Sequence, residues 1–400
     1  MALEKTWRWF GRNDRITLSE LRQFGVEGIV TALHHIKVGE VWPVDDILSV
    51  KEEIEKHGMR WSVVESLPVS EEIKLCSPGR EQAIANYITS LQNLGNCGID
   101  TVCYNFMPVL DWARTDLHFR DETGAESMLF DYTVFAVFDI HILERPGAIK
   151  DYPADVVIQA KTLYEKMTIE ECNTLAYNII VVTQGFINGT VGNVDNFKAV
   201  FLSFLSRYDG IDSGLLRQHL LAFVNDVVPV AEEYGINLCI HPDDPPFSLL
   251  GLPRIASTAE DFAWLFSQCT SPANGLTFCS GSLGVRPEND LVQIIRQFAD
   301  RIYFIHLRNI KRGEYRNFYE SAHLDGAADM YGIVKALLEE QNRRKTLGKN
   351  TTIPFRPDHG LKILDDFARE SNPGYPLIGR MRGLVEIAGL QMGIEKSFFS

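Results

Sequence analysis

Short apolar runs, each closed by a polar turn and followed by a stretch of helical periodicity, recur along the chain. The runs are TWRWFG (6–11), VEGIVTAL (26–33), RWSVVES (60–66) and DTVCYNF (100–106). After a long interruption come INLCIHP (236–242), LTFCSG (276–281), IYFIHLR (302–308) and TIPFRPD (352–358). They are rich in β-branched and aromatic residues and apolar at consecutive positions, as expected of strands covered on both faces of a parallel sheet. Between them, VDDILSVKEEIEKHG spaces its apolar residues along one helical face. SPGREQAIANYITSLQNLGNCG carries Pro near a helix start and Gly past a helix end. Eight such strands predict a (β/α)8 TIM barrel, in α/β class, as a single domain over residues 1–400. The interruption, about 111–215, is too long for a strand-to-helix connection. It reads as an insertion after the fourth strand, packed over one mouth of the barrel. Within it YTVFAVFDIHIL (132–143) alternates like a hairpin strand, PADVVIQAKTLYEKMTIEECNTLAYNII (153–180) reads as helix, and about 145–200 matches no motif.

Composition adds exclusions. A net charge of -14 argues against nucleic acid, whose phosphates need a clustered positive surface. It also means that an anionic substrate would need a local arginine or lysine clamp. No apolar run is long enough for a membrane span, and the start, MALEKTWRWFGRND, lacks a secretory pattern. Seven cysteines form no CxxC pair, which suggests reduced thiols and a cytoplasmic location. A symmetric homodimer is expected, with the inserted segment 111–215, rich in Phe and Tyr between 128 and 138, as a source of contacts.

In a parallel barrel the carboxyl ends of the strands carry the chemistry. Four successive late strands end in His241 (LCIHPDD), Cys279 (LTFCSGS), His306 (YFIHLRN) and Asp358 (FRPDHG). Each alone has an ordinary reading, as a hydrogen-bonded histidine, a packed thiol or a turn aspartate. Together, at equivalent positions, they make a metal-ligand set. The thiolate disfavours magnesium and calcium and suits iron, zinc or cobalt, while the carboxylate keeps manganese open. Earlier strand ends supply Arg8, His34, Glu65 and Asn105, polar groups suited to a polyhydroxylated ligand. Arg308 lies two positions past His306 and Arg356 two before Asp358, so strand alternation keeps each on its neighbour's side as a carboxylate clamp. SAHLDGAADM (321–330) offers His323 and Asp325 as acid or base, or a helix entry capped by Asp325.

TWRWFG, ALHHI, GEVWP, YNFMPVLDWARTDL, FDIHILERPGA, CIHPDDPP, FCSGSLG, FIHLRN, AHLDGAADM, PFRPDHG and NPGYPLIGR occur in order from residue 6 to 380. The chain thereby resembles the mannonate dehydratases of hexuronate (glucuronate) breakdown, distinct from the enolase-type enzymes of that activity. The resemblance implies a xylose-isomerase-like barrel, dehydration of D-mannonate to 2-keto-3-deoxy-D-gluconate, and Fe2+ or Mn2+ as cofactor. It puts the family's ligands on His241, Cys279, His306 and Asp358. His323, His359 and Tyr375 are the candidates for proton transfer. A metal-dependent sugar isomerase on the same barrel is the alternative; a nuclease conflicts with the charge, and a non-catalytic sugar-acid sensor would show no turnover.

Overall fold

The computed structural model describes residues 2–183, 196–348 and 352–399. Eight parallel strands close into a barrel: β1 (Glu4–Arg8), β2 (Gly28–Thr31), β3 (Arg60–Glu65), β4 (Thr101–Tyr104), then β7 (Asn237–Ile240), β8 (Asn274–Cys279), β9 (Ile302–His306) and β12 (Pro354–Arg356). Their order around the barrel is β1-β12-β9-β8-β7-β4-β3-β2. Every expected strand is there, because each carries buried residues at consecutive positions and meets a parallel neighbour on both edges. Register matters for function. Cys279 pairs with His306 across β8 and β9, and His306 with Arg356 across β9 and β12, so three strand ends share one level.

A second sheet, antiparallel in order β10-β11-β6-β5, was not legible in the sequence. It combines β5 (Asp116–Arg120) and β6 (Glu126–Phe130) from the interruption with β10 (Asn309–Arg312) and β11 (Phe318–Ser321). Because β10 begins three residues after β9 ends, this sheet stands at the carboxyl mouth of the barrel.

Four local readings need correction. Residues 132–142 are helical, as Tyr132–Val137 and Phe138–Ile142, not a hairpin strand. The Asp131 side chain accepts from the Val134 N–H at 2.9 Å and starts the helix, and a run apolar at nearly every position carries no usable period. Phe130, Phe135 and Phe138 are buried, so the stretch 128–138 builds core rather than a contact surface. The helix over 153–180 is two helices, Ala154–Tyr164 and Ile169–Tyr177, separated where Thr168 and Glu171 form a capping box. The helix Met330–Thr346 is capped by Asp329, while Asp325 is exposed and pairs with Lys311 at 3.0 Å. Residues 184–195 of the 145–200 stretch lie outside the described residues. Among the described residues no helix is long and apolar enough to cross a membrane.

Candidate metal centre and active site

At the carboxyl end of the barrel, ligand atoms of His241, Cys279 and His306 lie within 4.8 Å of one another. His241 Nε2 and His306 Nδ1 face each other at 3.0 Å. The other nitrogen of His241 donates to the Pro242 carbonyl at 2.6 Å, which leaves Nε2 with its lone pair turned to the centre. Burial lowers the His241 pKa and keeps the ring neutral, as a ligand must be. His306 Nε2 lies 3.1 Å from Arg356 Nε and 3.3 Å from a Glu65 oxygen. With the His306 proton on Nδ1, that nitrogen donates to His241 and Nε2 accepts from Arg356. With the proton on Nε2, Glu65 accepts it, and two lone pairs then face each other across a gap that only a cation would reconcile. Two nitrogens each about 2.0–2.1 Å from one ion stand roughly 3 Å apart, so the spacing fits a shared metal.

Asp358 borders this cluster. Its Oδ2 is 3.9 Å from the Cys279 sulfur and 3.8 Å from His306 Nδ1. Asp358 adopts φ 52°, a left-handed conformation that Asp tolerates better than most residues. Cys279 is fully buried and accepts hydrogen bonds from Ser282 N at 3.4 Å and Ser282 Oγ at 3.2 Å.

The two arginines expected as a substrate clamp line this cleft, with their nitrogens engaged by protein groups. Arg356 donates bidentately to Glu65 at 2.9 and 2.8 Å and to Asp358 Oδ1 at 2.5 Å. Arg308 donates to Asp244 at 2.6 Å and to Asp358 Oδ2 at 3.2 Å. Gly281 permits this path, since a Cβ there would collide with the Arg308 side chain. Burial alone would raise the Asp358 pKa, but Arg356, His359, His306 and Arg308 reverse this and hold it well below the usual carboxylate range. Arg356 and His306 do the same for Glu65.

His359 and Tyr375 also line the cleft, with Asn105 and Trp112. His359 Nδ1 is 2.8 Å from Arg308 Nη1 and 3.1 Å from Glu320 Oε1, and its ring meets Tyr375 edge-on at 5.1 Å. Burial raises the Tyr375 pKa. Other candidates stand further back. Arg8 lies 3.6 Å from Glu65, and His34 is exposed on the turn after β2, 6.0 Å from the Phe10 ring. His323 is buried against Gly383 and its Nε2 donates to the Pro357 carbonyl at 2.6 Å, so it braces the residue before Asp358.

Sequence reasoning missed a buried charge network beneath His359. Arg114 bridges Asp244 at 2.9 Å and Glu320 at 2.8 Å, and Arg308 joins the same two carboxylates at 2.6 and 3.5 Å. Arg114 comes from the interruption and Glu320 from β11, so the second sheet supplies a support for a cleft histidine. The only available signal was that Arg114 and Asp244 sit inside the long motifs YNFMPVLDWARTDL and CIHPDDPP.

A closed parallel barrel that gathers two imidazoles, a thiol and carboxylates at the carboxyl ends of its strands defines a (β/α)8 enzyme. The comparisons narrow the class. The sequence profile of D-mannonate dehydratase matches residues 3–400. A mannonate dehydratase of a Marinomonas species is 48% identical over 397 residues, covering 99% of this chain and 100% of that one. Mannonate dehydratase 1 of Agrobacterium fabrum is 48% identical over 402 residues, covering 99% and 98%. The crystal structure of mannonate dehydratase from Streptococcus suis superposes with a TM-score of 0.80 at 32% identity, covering 100% and 97%. A xylose isomerase-like TIM barrel protein of Mycobacterium smegmatis, at 12% identity and a TM-score of 0.50, shares the fold, covering 98% and 97%. This chain belongs to the D-mannonate dehydratase family, and its reaction class is that of a hydro-lyase.

Proposed function

We propose that the protein removes water from D-mannonate to give 2-keto-3-deoxy-D-gluconate, with one Fe2+ or Mn2+ held by His241, Cys279, His306 and Asp358. The convergence of His241, Cys279 and His306 within 4.8 Å carries this reading. The donor set of two imidazoles, one thiolate and one carboxylate fits either ion. When bound, the ion supplies Lewis acidity toward the substrate carboxylate and C2 hydroxyl.

The rest falls to side chains. His359 takes the C2 proton at Nε2, in the tautomer whose Nδ1–H donates to Glu320 Oε1 at 3.1 Å. Tyr375, kept protonated by burial, gives its proton to the departing C3 hydroxyl. The C2–H and C3–O bonds break, one water leaves, and the enol becomes the ketone without any change of oxidation level. Asn105 binds hydroxyls in the cleft, and Arg8 acts through Glu65 at 3.6 Å, while His34 stands outside the cleft lining. Arg308 and Arg356 make the site more positive toward the substrate carboxylate while holding Asp358 and Glu65. His323 is a positioning residue for the Asp358 turn.

Seven free cysteines support a reducing, cytoplasmic setting. We also propose a homodimer, and assign its contact to the helices Ala154–Tyr164 and Ile169–Tyr177, where Ile158 and Ile169 are 67% and 82% exposed. The test is product analysis by mass spectrometry after incubation with D-mannonate and each divalent metal. A 2-keto-3-deoxy acid formed only with metal is expected; conversion of free aldoses but not sugar acids would mark an isomerase instead.

A further inference from the structure

The cleft holding the candidate ligands is small, about 60 Å³. That is room for roughly two waters at ~30 Å³ each, whereas small-molecule sites usually start near about 300 Å³. A six-carbon acid with its reacting carbons at the centre must extend elsewhere. Tyr375 lines this cleft and also a second cavity of about 340 Å³. That cavity lies between the loop after β1, with Phe10, Asn13 and Asp14, and the loop Glu370–Asn372.

Arg380 borders the second cavity, in the first turn of the helix Leu377–Phe398. Its guanidinium is fully buried, with Cζ 3.8 Å from the centroid of the Trp7 ring and 4.8 Å from that of Tyr375. Among the described residues it has no carboxylate at ion-pair distance. Its Nε has no hydrogen-bond partner, and Nη2 makes only a 3.4 Å contact to the Arg8 carbonyl. Arg114, Arg308 and Arg356, equally buried, each hold two or more carboxylates. Asp14 does not fill the gap: its two oxygens accept from the Phe10 and Ile16 N–H groups at 2.8 and 2.9 Å and fix the loop. Burial pulls the Arg380 pKa down to about 9, which leaves it cationic at neutral pH. Ring contacts offset part of the cost of burying this cation, but they leave N–H donors without acceptors, and buried donors are rarely left so.

We propose that Arg380 and the adjoining cavity form the subsite for the non-reacting end of the sugar acid, the hydroxyls of C4 to C6, and thereby set the chain length that the enzyme prefers. This rests on the dehydration reading above. The substrate carboxylate adjoins C2 and stays at the reacting centre, so hydroxyls are what reaches past Tyr375. They offer acceptors to Arg380 without bringing a second charge.

The test compares D-mannonate with four-carbon 2,3-dihydroxybutanoate of the same configuration at C2 and C3, which lacks every hydroxyl assigned to the subsite and is used as a competitive inhibitor so that it need not turn over. In Arg380→Met, the KM for D-mannonate should rise about tenfold to hundredfold, the worth of one or two hydrogen bonds from a charged donor, while the inhibition constant of the short acid moves far less. Ser371→Trp, on the exposed loop opposite, should shrink the cavity and give the same split without touching Arg380. Equal losses for both acids in Arg380→Met would make Arg380 a support for Tyr375 and overturn the subsite. A Ser371→Trp enzyme that folds and keeps the wild-type ratio would also overturn it, and it decides the matter if Arg380→Met fails to fold. Wild-type enzyme that makes no 2-keto-3-deoxy product from D-mannonate would instead sink the dehydration reading.

Discussion

Nε2 of His241 and Nδ1 of His306 face each other at 3.0 Å, although 65 residues separate them in the chain. The Pro242 carbonyl fixes one ring and Glu65 with Arg356 brackets the other, so the pair is aimed before any ion arrives. His241→Ala should therefore abolish binding of both iron and manganese, measured by metal analysis after anaerobic loading. Cys279→Ser, which trades a soft thiolate for a hard hydroxyl, should weaken iron more than manganese. Equal retention of both ions in either variant would remove that residue from the centre.

Arg308 and Arg356 hold Asp358 from two sides. Replacing either with Met takes one of two cationic partners from buried carboxylates, a loss of up to about 3–5 kcal/mol by comparison with broken buried pairs. Each variant should melt earlier and lose metal as well as activity. A variant with normal metal content and stability but a raised KM for D-mannonate would show that the arginine binds substrate directly.

His359→Asn should lower kcat by about two to four powers of ten with metal content near normal, the usual scale for a lost acid or base. His323→Asn should reduce stability and metal affinity, because it removes the donor to the Pro357 carbonyl. A larger kcat loss in His323→Asn than in His359→Asn would reverse these roles.

Asp244 and Glu320 have folded pKa values below their ordinary ones: burial opposes this, and Arg114 and Arg308 outweigh it, with His359 also acting on Glu320. For a depressed carboxylate the stabilisation is complete above the unfolded pKa, about 3.9 for Asp and 4.3 for Glu, and is lost as pH falls through the folded value. Stability should be flat through neutral pH and fall below about pH 4. Arg114→Met should lower the melting temperature at neutral pH and make the acid fall shallower, because the folded values of both carboxylates rise toward the unfolded ones. An unchanged acid profile would show that Arg114 contributes little to the network.

The barrel and its mouth were legible because strands covered on both faces leave continuous apolar runs, and because residues at or just past the carboxyl end of such a run lie at the mouth. His241, Cys279, His306 and Asp358 could be read that way. Arg114, Asp244 and Glu320 could not, since their pairing spans 130 and 206 residues and no local pattern records it. The four short strands of the second sheet failed for a related reason. Each depends on a partner elsewhere in the chain, and Asp116–Arg120 has little apolar alternation of its own. The 132–142 stretch misled because its apolar residues fill both strand-like and helical positions.

Exposed Ile158 and Ile169 should lie in a subunit contact. Sedimentation equilibrium at micromolar concentration should give a dimer, and Ile169→Glu should shift it toward monomer. A wild-type monomer would dismiss the contact.

X-ray absorption at the iron edge of the Fe2+-loaded protein tests the central assignment most directly. One sulfur scatterer at about 2.3 Å with nitrogen and oxygen neighbours at about 2.0–2.2 Å is expected, and the sulfur shell should vanish in Cys279→Ser. A wild-type spectrum with oxygen and nitrogen only would contradict the centre built from His241, Cys279, His306 and Asp358.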